Sequence, residues 1–309
     1  MVDTESVHAD AAPIALLTGA GAGIGRLLAV ALAERGYRLL LAGRTPDKLE
    51  AVQQGLIARG LRQQVLCIPL DLADLDSVQR AAAHVLDQVG RIDLLINNAG
   101  VAAERGLTNS GFERAFGINH LGHFALTLRL WPAIVSAPSP RVITVASRAH
   151  RYARRWDWDR LQRPTSSLTG VPEYAQSKLA NILFASELAE RARSAGVFSV
   201  SLHPGVLDTE IWRRLPVWLQ WLNRWRLRAP QEGVASILHA ACQLPERANG
   251  CYLSGIKPQQ PSGLARDRRL SAELWQRSLE WARISDPIDA QVTAEQLAAC
   301  AEPQGSRAC

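Results

Sequence analysis

Short apolar runs alternate with longer helical stretches along most of this chain, and few folds accept that alternation. IALLT (14–18), YRLLLAG (37–43), VLCIPL (65–70), IDLLIN (92–97), RVITVAS (141–147) and VFSVSLH (197–203) read as strands. Helical spacing fills the intervals near 24–35, 46–59, 74–89, 111–135 and 173–194. The strands are apolar throughout rather than at every second residue, which is the pattern of strands covered on both faces. Strand–helix alternation of this kind predicts βαβ units: an α/β fold with a doubly wound, mostly parallel sheet and helices on both sides. One domain is expected over 13–284, after a disordered lead-in (1–12) and before a weakly ordered tail (285–309).

Composition narrows the function classes. Of 309 residues, 47% are apolar and 21% charged, the balance of a soluble globular protein with a sizeable core. No apolar run reaches the ~18–20 residues a membrane span requires. The N-terminus, MVDTESVHADAAP, is polar and acidic and lacks the form of a secretory signal. Cysteines 67, 242, 251, 300 and 309 are scattered, with no paired spacing. That argues against a disulfide framework or a zinc site and fits a reducing cytoplasm. The net charge of +6 comes almost wholly from arginines spread along the chain. With no nucleic-acid motif beside them, a nucleic-acid partner is not expected.

TGAGAGIG (18–25) lies between the first strand and the first helix. Glycines there let the backbone turn sharply and approach a pyrophosphate, and the helix N-terminus offers it free N–H groups. Gly19, Gly23, Ile24 and Gly25 are therefore candidate cofactor contacts, and the fold becomes Rossmann-like. A dinucleotide fold often places an acid about 20 residues further on, against the adenosine ribose. Here Gly43 and Arg44 stand in its place. A guanidinium suits a 2′-phosphate, so NADP(H) is favoured over NAD(H); the bland alternative is an exposed arginine at a strand end.

Tyr174 and Lys178 sit one helical turn apart in EYAQSKLANILFASEL (173–188). They are either a surface contact or a phenol prepared to give up its proton. The chain holds three lysines, Lys48, Lys178 and Lys257, and uses arginine nearly everywhere else. A retained lysine at 178 is pointed, because a compact ammonium and a planar guanidinium are not interchangeable at a tight site. A phenol near pKa 10 works poorly at neutral pH, and a neighbouring ammonium and a positive nicotinamide both favour the phenolate. Ser147, Asn119 and Asp71 each have an ordinary structural reading as caps of strand or helix ends. His120 and His123 have no third ligand at sensible spacing, so they read as helix histidines and no metal is expected.

Taken together and in order, TGAGAGIG, Asp71 in LDLAD, NNAG (97–100), Asn119 in INHLGH, Ser147 in VITVAS, YAQSK (174–178) and HPGVLDTE (203–210) resemble the motifs of the short-chain dehydrogenase/reductase family. The likeness runs from residue 14 to about 283. YAQSKLANILFASELA and ARDRRLSAELW look closest to its retinol-dehydrogenase-like branch, whose members reduce lipophilic aldehydes and ketones. The resemblance implies Tyr174 as catalytic acid, with Lys178 holding the nicotinamide ribose and lowering the Tyr174 pKa. It implies Ser147 on the substrate carbonyl and Asn119 holding a water that links Lys178 to solvent. Asp71 resembles the adenine contact; Asn98, Ala99 and Gly100 line the cofactor; Pro204, Gly205 and Thr209 match the segment over the nicotinamide. A homo-oligomer is also implied.

Two segments depart from the family pattern. RAHRYARRWDWDRLQRPTSSLTG fills an interval between Ser147 and Tyr174 that is longer than in the shortest family members, and is expected to form a wall of the substrate pocket or a surface flap. IWRRLPVWLQWLNRWRLRAP (211–230) falls in the region of the substrate lid, near 206–230. Its tryptophans, leucines and arginines suit a lid over a bulky apolar substrate, a peripheral membrane contact, or a helix packed on the protein itself. The resulting expectation is an NADP(H)-dependent oxidoreductase moving a hydride to or from a carbonyl or alcohol of a lipophilic small molecule. Its rivals are an NAD-dependent alcohol dehydrogenase and a non-catalytic, cofactor-sensing protein on the same fold.

Overall fold

The structure, a computed structural model, describes residues 12–61, 65–102, 104–205 and 230–290. Eight strands are β1 (Ile14–Thr18), β2 (Arg38–Gly43), β3 (Val65–Pro69), β4 (Leu94–Asn97), β5 (Arg141–Val145), β6 (Phe198–His203), β7 (Tyr252–Ser254) and β8 (Lys257–Pro258). They form one sheet in the order β3-β2-β1-β4-β5-β6-β7-β8, parallel up to β7, with β8 antiparallel at the edge. The order reverses between β1 and β4. Connections leave in opposite directions there and open a crevice at the carboxyl ends of the strands, the usual ligand position in such sheets.

Among the described residues, seven helices of eight or more residues cover the sheet: α1 (Gly23–Ala33), α2 (Pro46–Ala58), α3 (Leu75–Gln88), α4 (Gly122–Arg129), α5 (Val171–Arg191), α6 (Pro230–Cys242) and α7 (Arg268–Ala282). Alternate strand residues feed two cores. Leu16, Leu40, Leu95 and Val142 pack with Val78 of α3, Phe124 of α4, Leu179 of α5 and Trp275 of α7. Leu17, Leu39, Leu41 and Ile143 pack with Leu28 of α1, Leu49 of α2 and Ile237 of α6. Burial on both sides is why the strands are apolar at successive positions rather than alternating.

Three stretches differ from the sequence expectation. The helix expected over 111–135 is broken: Arg114–Phe116, then a π-helical turn Gly117–Leu121, then α4, then Trp131–Val135. Close packing enforces the wide turn, because a Cβ on Gly117 would lie 2.5 Å from Thr108 and one on Gly122 the same distance from the Leu72 carbonyl. Pro132 opens the last piece, where its missing N–H costs nothing. Among the described residues, the insert after Ser147 lines no part of the cleft at the strand ends: Tyr152 and Leu168 are exposed, while part of it packs on the core. Trp156 and Trp158 stack edge-on, and Trp158 meets Trp281 of α7, with the Arg277 guanidinium 4.4 Å over its ring. Finally, the fold continues past 284. Ile288 is buried in the core, and Asp286 accepts a 2.6 Å hydrogen bond from the Trp275 indole and faces Arg191 at 3.6 Å. The lead-in up to residue 11, the lid region 206–229 and the tail from 291 lie outside the described residues.

Candidate active site

The carboxyl ends of the strands open into a cleft of about 430 Å³, within the range of small-molecule and cofactor sites. After β1, Gly19, Gly23, Ile24 and Gly25 line it. Gly19 has φ +69°, and a Cβ on Gly25 would stand 2.1 Å from the Gly19 carbonyl oxygen, so glycine is obligatory at both positions. Ala22 at the head of α1 has no capping side chain, and no acid occupies the first turn. The helix therefore presents uncapped N–H groups and a positive dipole end to the cleft, the arrangement that holds a phosphate.

Arg44 lines the cleft after β2 and Asp71 after β3. The Asp71 carboxylate accepts the Ala73 N–H at 3.0 Å, and the cap of α3 is Asp74 rather than Asp71. Asn98, Ala99 and Gly100 follow β4; Asn98 donates its amide to the Thr18 carbonyl at 2.8 Å. Pro204 and Gly205 follow β6. Arg148 donates to His203 at 3.0 Å, tying the end of β6 to the residue beyond Ser147. Thr209 lies outside the described residues. Sequence reasoning passed over Lys48, which lines the same cleft four residues after Arg44. Two cations at that spacing around the start of a helix were the available signal.

Ser147, Tyr174 and Lys178 meet at the other end of the cleft. Ser147 ends the β5 segment, where its hydroxyl also accepts the Ala149 N–H at 3.1 Å. Tyr174 and Lys178 come from the same side of α5, and Tyr174 is hydrogen-bonded to Ser147. Lys178 donates to the Val145 carbonyl at 2.9 Å, and Asn181 to the same oxygen at 3.1 Å. Asn119 does not line the cleft. It is fully buried behind Gly100 and Val101, accepting the Val101 N–H at 2.8 Å and donating to the Val101 carbonyl and the Ser177 hydroxyl, each at 2.9 Å.

The electrostatics differ from the expectation of a phenol lowered by Lys178. Burial pushes Tyr174 up to about 12, and the Ser147 hydrogen bond offsets only part of this. Burial also pulls Lys178 down to about 7. Its Nζ stands 5.8 Å from the centre of the Tyr174 ring and is only partly charged near neutrality, so desolvation of the phenol wins. The cleft thus holds a neutral phenol, a hydroxyl hydrogen-bonded to it and an ammonium poised at neutral pH.

A family model described as short chain dehydrogenase matches residues 13–157. Human dehydrogenase/reductase SDR family member 13 is 37% identical over 284 residues, 90% of this chain and 75% of its own. Human retinol dehydrogenase 13 is 35% identical over 283 residues, 88% and 85% of the two chains. The chain belongs to the short-chain dehydrogenase/reductase family. It is an oxidoreductase with retinol-dehydrogenase-like relatives, on a fold that binds nicotinamide cofactors. Among solved structures, an uncharacterized protein from Mycobacterium paratuberculosis superposes with a TM-score of 0.71 at 34% identity, over 90% of this chain and 98% of that one. The NADPH-bound carbonyl reductase from chicken fatty liver shares the fold, with a TM-score of 0.63 at 23% identity, over 81% and 99%.

Proposed function

We propose that this protein is an NADP(H)-dependent oxidoreductase acting on a carbonyl or alcohol of a lipophilic small molecule. The observation that carries the reading is one cleft with two chemically distinct ends. At one end a glycine turn, an uncapped helix and two cations, Arg44 and Lys48, fit a dinucleotide with an additional phosphate. At the other, Ser147 and Tyr174 are hydrogen-bonded together. A bound nicotinamide supplies or accepts the hydride. Tyr174 then delivers a proton to the oxygen that gains charge, or removes one in the reverse direction, and Ser147 donates a hydrogen bond to that oxygen. Lys178 sits beside the phenol as a partly charged base whose protonation responds to its surroundings. A lipophilic substrate agrees with the small apolar cluster of Ala102, Ala149 and Tyr174, and with relatives named for retinol.

The test is titration with NADPH and NADH, then NADPH oxidation against a panel of lipophilic aldehydes and ketones, with Tyr174→Phe alongside. Turnover by the wild type that Tyr174→Phe abolishes, with NADPH affinity near wild type, is the expected result. Unchanged turnover in Tyr174→Phe removes the phenol as proton donor. Tight cofactor binding with no turnover against any panel member favours the cofactor-sensing alternative.

A further inference from the structure

His123, on the first turn of α4, is read from sequence as an ordinary helix histidine. Its hydrogen bonds say more. Nδ1 stands 3.0 Å from the Asn119 main-chain oxygen, and Nε2 stands 2.9 Å from the Thr18 hydroxyl. The carbonyl can only accept, so Nδ1 must carry the proton. In the neutral ring Nε2 is then an acceptor, and the Thr18 hydroxyl at 2.9 Å is its donor. That turns the lone pairs of the Thr18 oxygen toward the N–H groups of Asn98 and Ala99, which it accepts at 2.9 and 3.0 Å. The Ile96 carbonyl, 3.3 Å from the same hydroxyl, is its other acceptor, and the His123 contact is the shorter of the two. A second tie runs beside the first: Asn97 donates to the Thr127 hydroxyl at 3.1 Å, and that hydroxyl donates to the His123 carbonyl at 2.8 Å.

We infer that His123 is a positioning residue for the active site, a neutral Nδ1–H imidazole that braces the Asn119 turn against the Thr18 and Asn98–Ala99 turns. The three segments it joins are the π-helical turn, the start of the glycine turn and the turn after β4. The last two line the cleft, and the first carries the side chain that holds Val101. The ring touches neither cleft nor solvent, being 1% exposed, so it acts through these neighbours alone. Burial and the nearby Lys178 charge keep it neutral, at about 4. Protonation would make Nε2 a donor, and the Thr18 hydroxyl would then have to turn its own proton to the longer Ile96 carbonyl contact at 3.3 Å.

The inference rests on the proposed roles of Asn119 and the Asn98–Ala99 turn, and its test separates the two. The ¹⁵N shifts of His123 in the wild-type protein at pH 7 need no turnover; a neutral Nδ1–H tautomer is expected, and an Nε2–H tautomer or an imidazolium overturns the brace. His123→Phe keeps the ring volume and loses both bonds. His123→Asn retains a donor close to the position of Nδ1 and so the bond to Asn119. Small misplacements of a site cost on the order of tenfold to a hundredfold in rate, so His123→Phe should lose that much kcat or NADPH affinity while His123→Asn recovers most of it. Equal losses in the two variants, or none in either, overturn the brace. If the wild type turns over no substrate, the oxidoreductase reading fails, and the tautomer with the NADPH dissociation constants of the variants still decides the role of His123.

Discussion

Lys178 is the buried member of the three lysines, and that position sets an opposition between stability and activity. Burial pulls its pKa down to about 7 in the folded protein, against 10.5 for a solvated lysine. Between these values the unfolded chain binds a proton that the folded one largely declines, so at pH 7 the residue works against folding. Lys178→Met should therefore raise Tm at pH 7 while abolishing turnover, and thermal denaturation beside the NADPH assay checks both. The Val145 carbonyl retains the Asn181 donor in that variant, so no buried acceptor is orphaned. A lowered Tm would mean that Lys178 contributes more through packing than its desolvation costs. At the opposite end of the cleft, Arg44→Ala and Lys48→Ala should each weaken NADPH roughly tenfold and leave NADH nearly unchanged, the scale of one charge-assisted hydrogen bond. Equal losses for both cofactors, measured by fluorescence titration, would remove the 2′-phosphate assignment.

The π-helical turn is the element on which the site depends and the one the sequence hides. Its residues, GINHL, keep an apolar and helical pattern, and nothing local in them marks a widened turn. What imposes it is contact with distant segments: Gly117 against Thr108 and Gly122 against the Leu72 carbonyl. Gly122→Ala would place a Cβ 2.5 Å from that carbonyl oxygen, where backbone must move. A destabilisation of about 1–3 kcal/mol is expected from overpacking of this kind. Because α4 begins there, the shift should also displace Asn119 and lower turnover. Denaturant unfolding with an unchanged m-value checks the first part, and kcat the second; full activity with lost stability would detach the turn from the site. The same distinction explains what was legible elsewhere. Strands β1 to β6, the glycine turn and the one-turn spacing of Tyr174 and Lys178 are written in local pattern, and the structure contains each of them. Strands β7 and β8 hold three and two residues, too short for periodicity to speak. The packing of Trp156 and Trp158 on α7 and the seating of Ile288 are long-range contacts, and the bonds of His123 join three segments whose proximity only the fold creates.

Across the whole molecule, the buried titratable groups predict that stability peaks on the alkaline side of neutrality, above the range near pH 5–8 usual for proteins. On the acid side, His120 and His123 are fully enclosed and held down to about 3 and about 4, against 6.5 for a solvated imidazole, chiefly by burial. Below pH 6.5 the unfolded chain takes up these protons and the folded one does not, so stability falls with acidification, by up to about 1.4 kcal/mol per pH unit for each resistant imidazole. Glu113 runs the other way, because burial raises its carboxyl, but hydrogen bonds from Thr165 and the Phe116 N–H hold that rise in check. From pH 7 to about 10 the Lys178 penalty is relieved and stability rises. Beyond 10, Tyr37, Tyr174 and Tyr252, each pushed up to about 12, keep protons that the unfolded chain releases, and stability falls again. Tm measured at constant ionic strength should thus be higher at pH 9 than at pH 7, and higher at pH 7 than at pH 5. His120→Phe probes the acid limb, because His120 already sits among Phe116, Phe124 and Phe184 and its Nδ1 has no partner among the described residues. The variant should reduce the loss between pH 6.5 and 4, leaving the share of His123, and leave the rise toward pH 9 intact. A Tm that peaks at pH 5–6 in the wild type would show that the buried imidazoles gain their protons without unfolding, through a local opening of the core around α4.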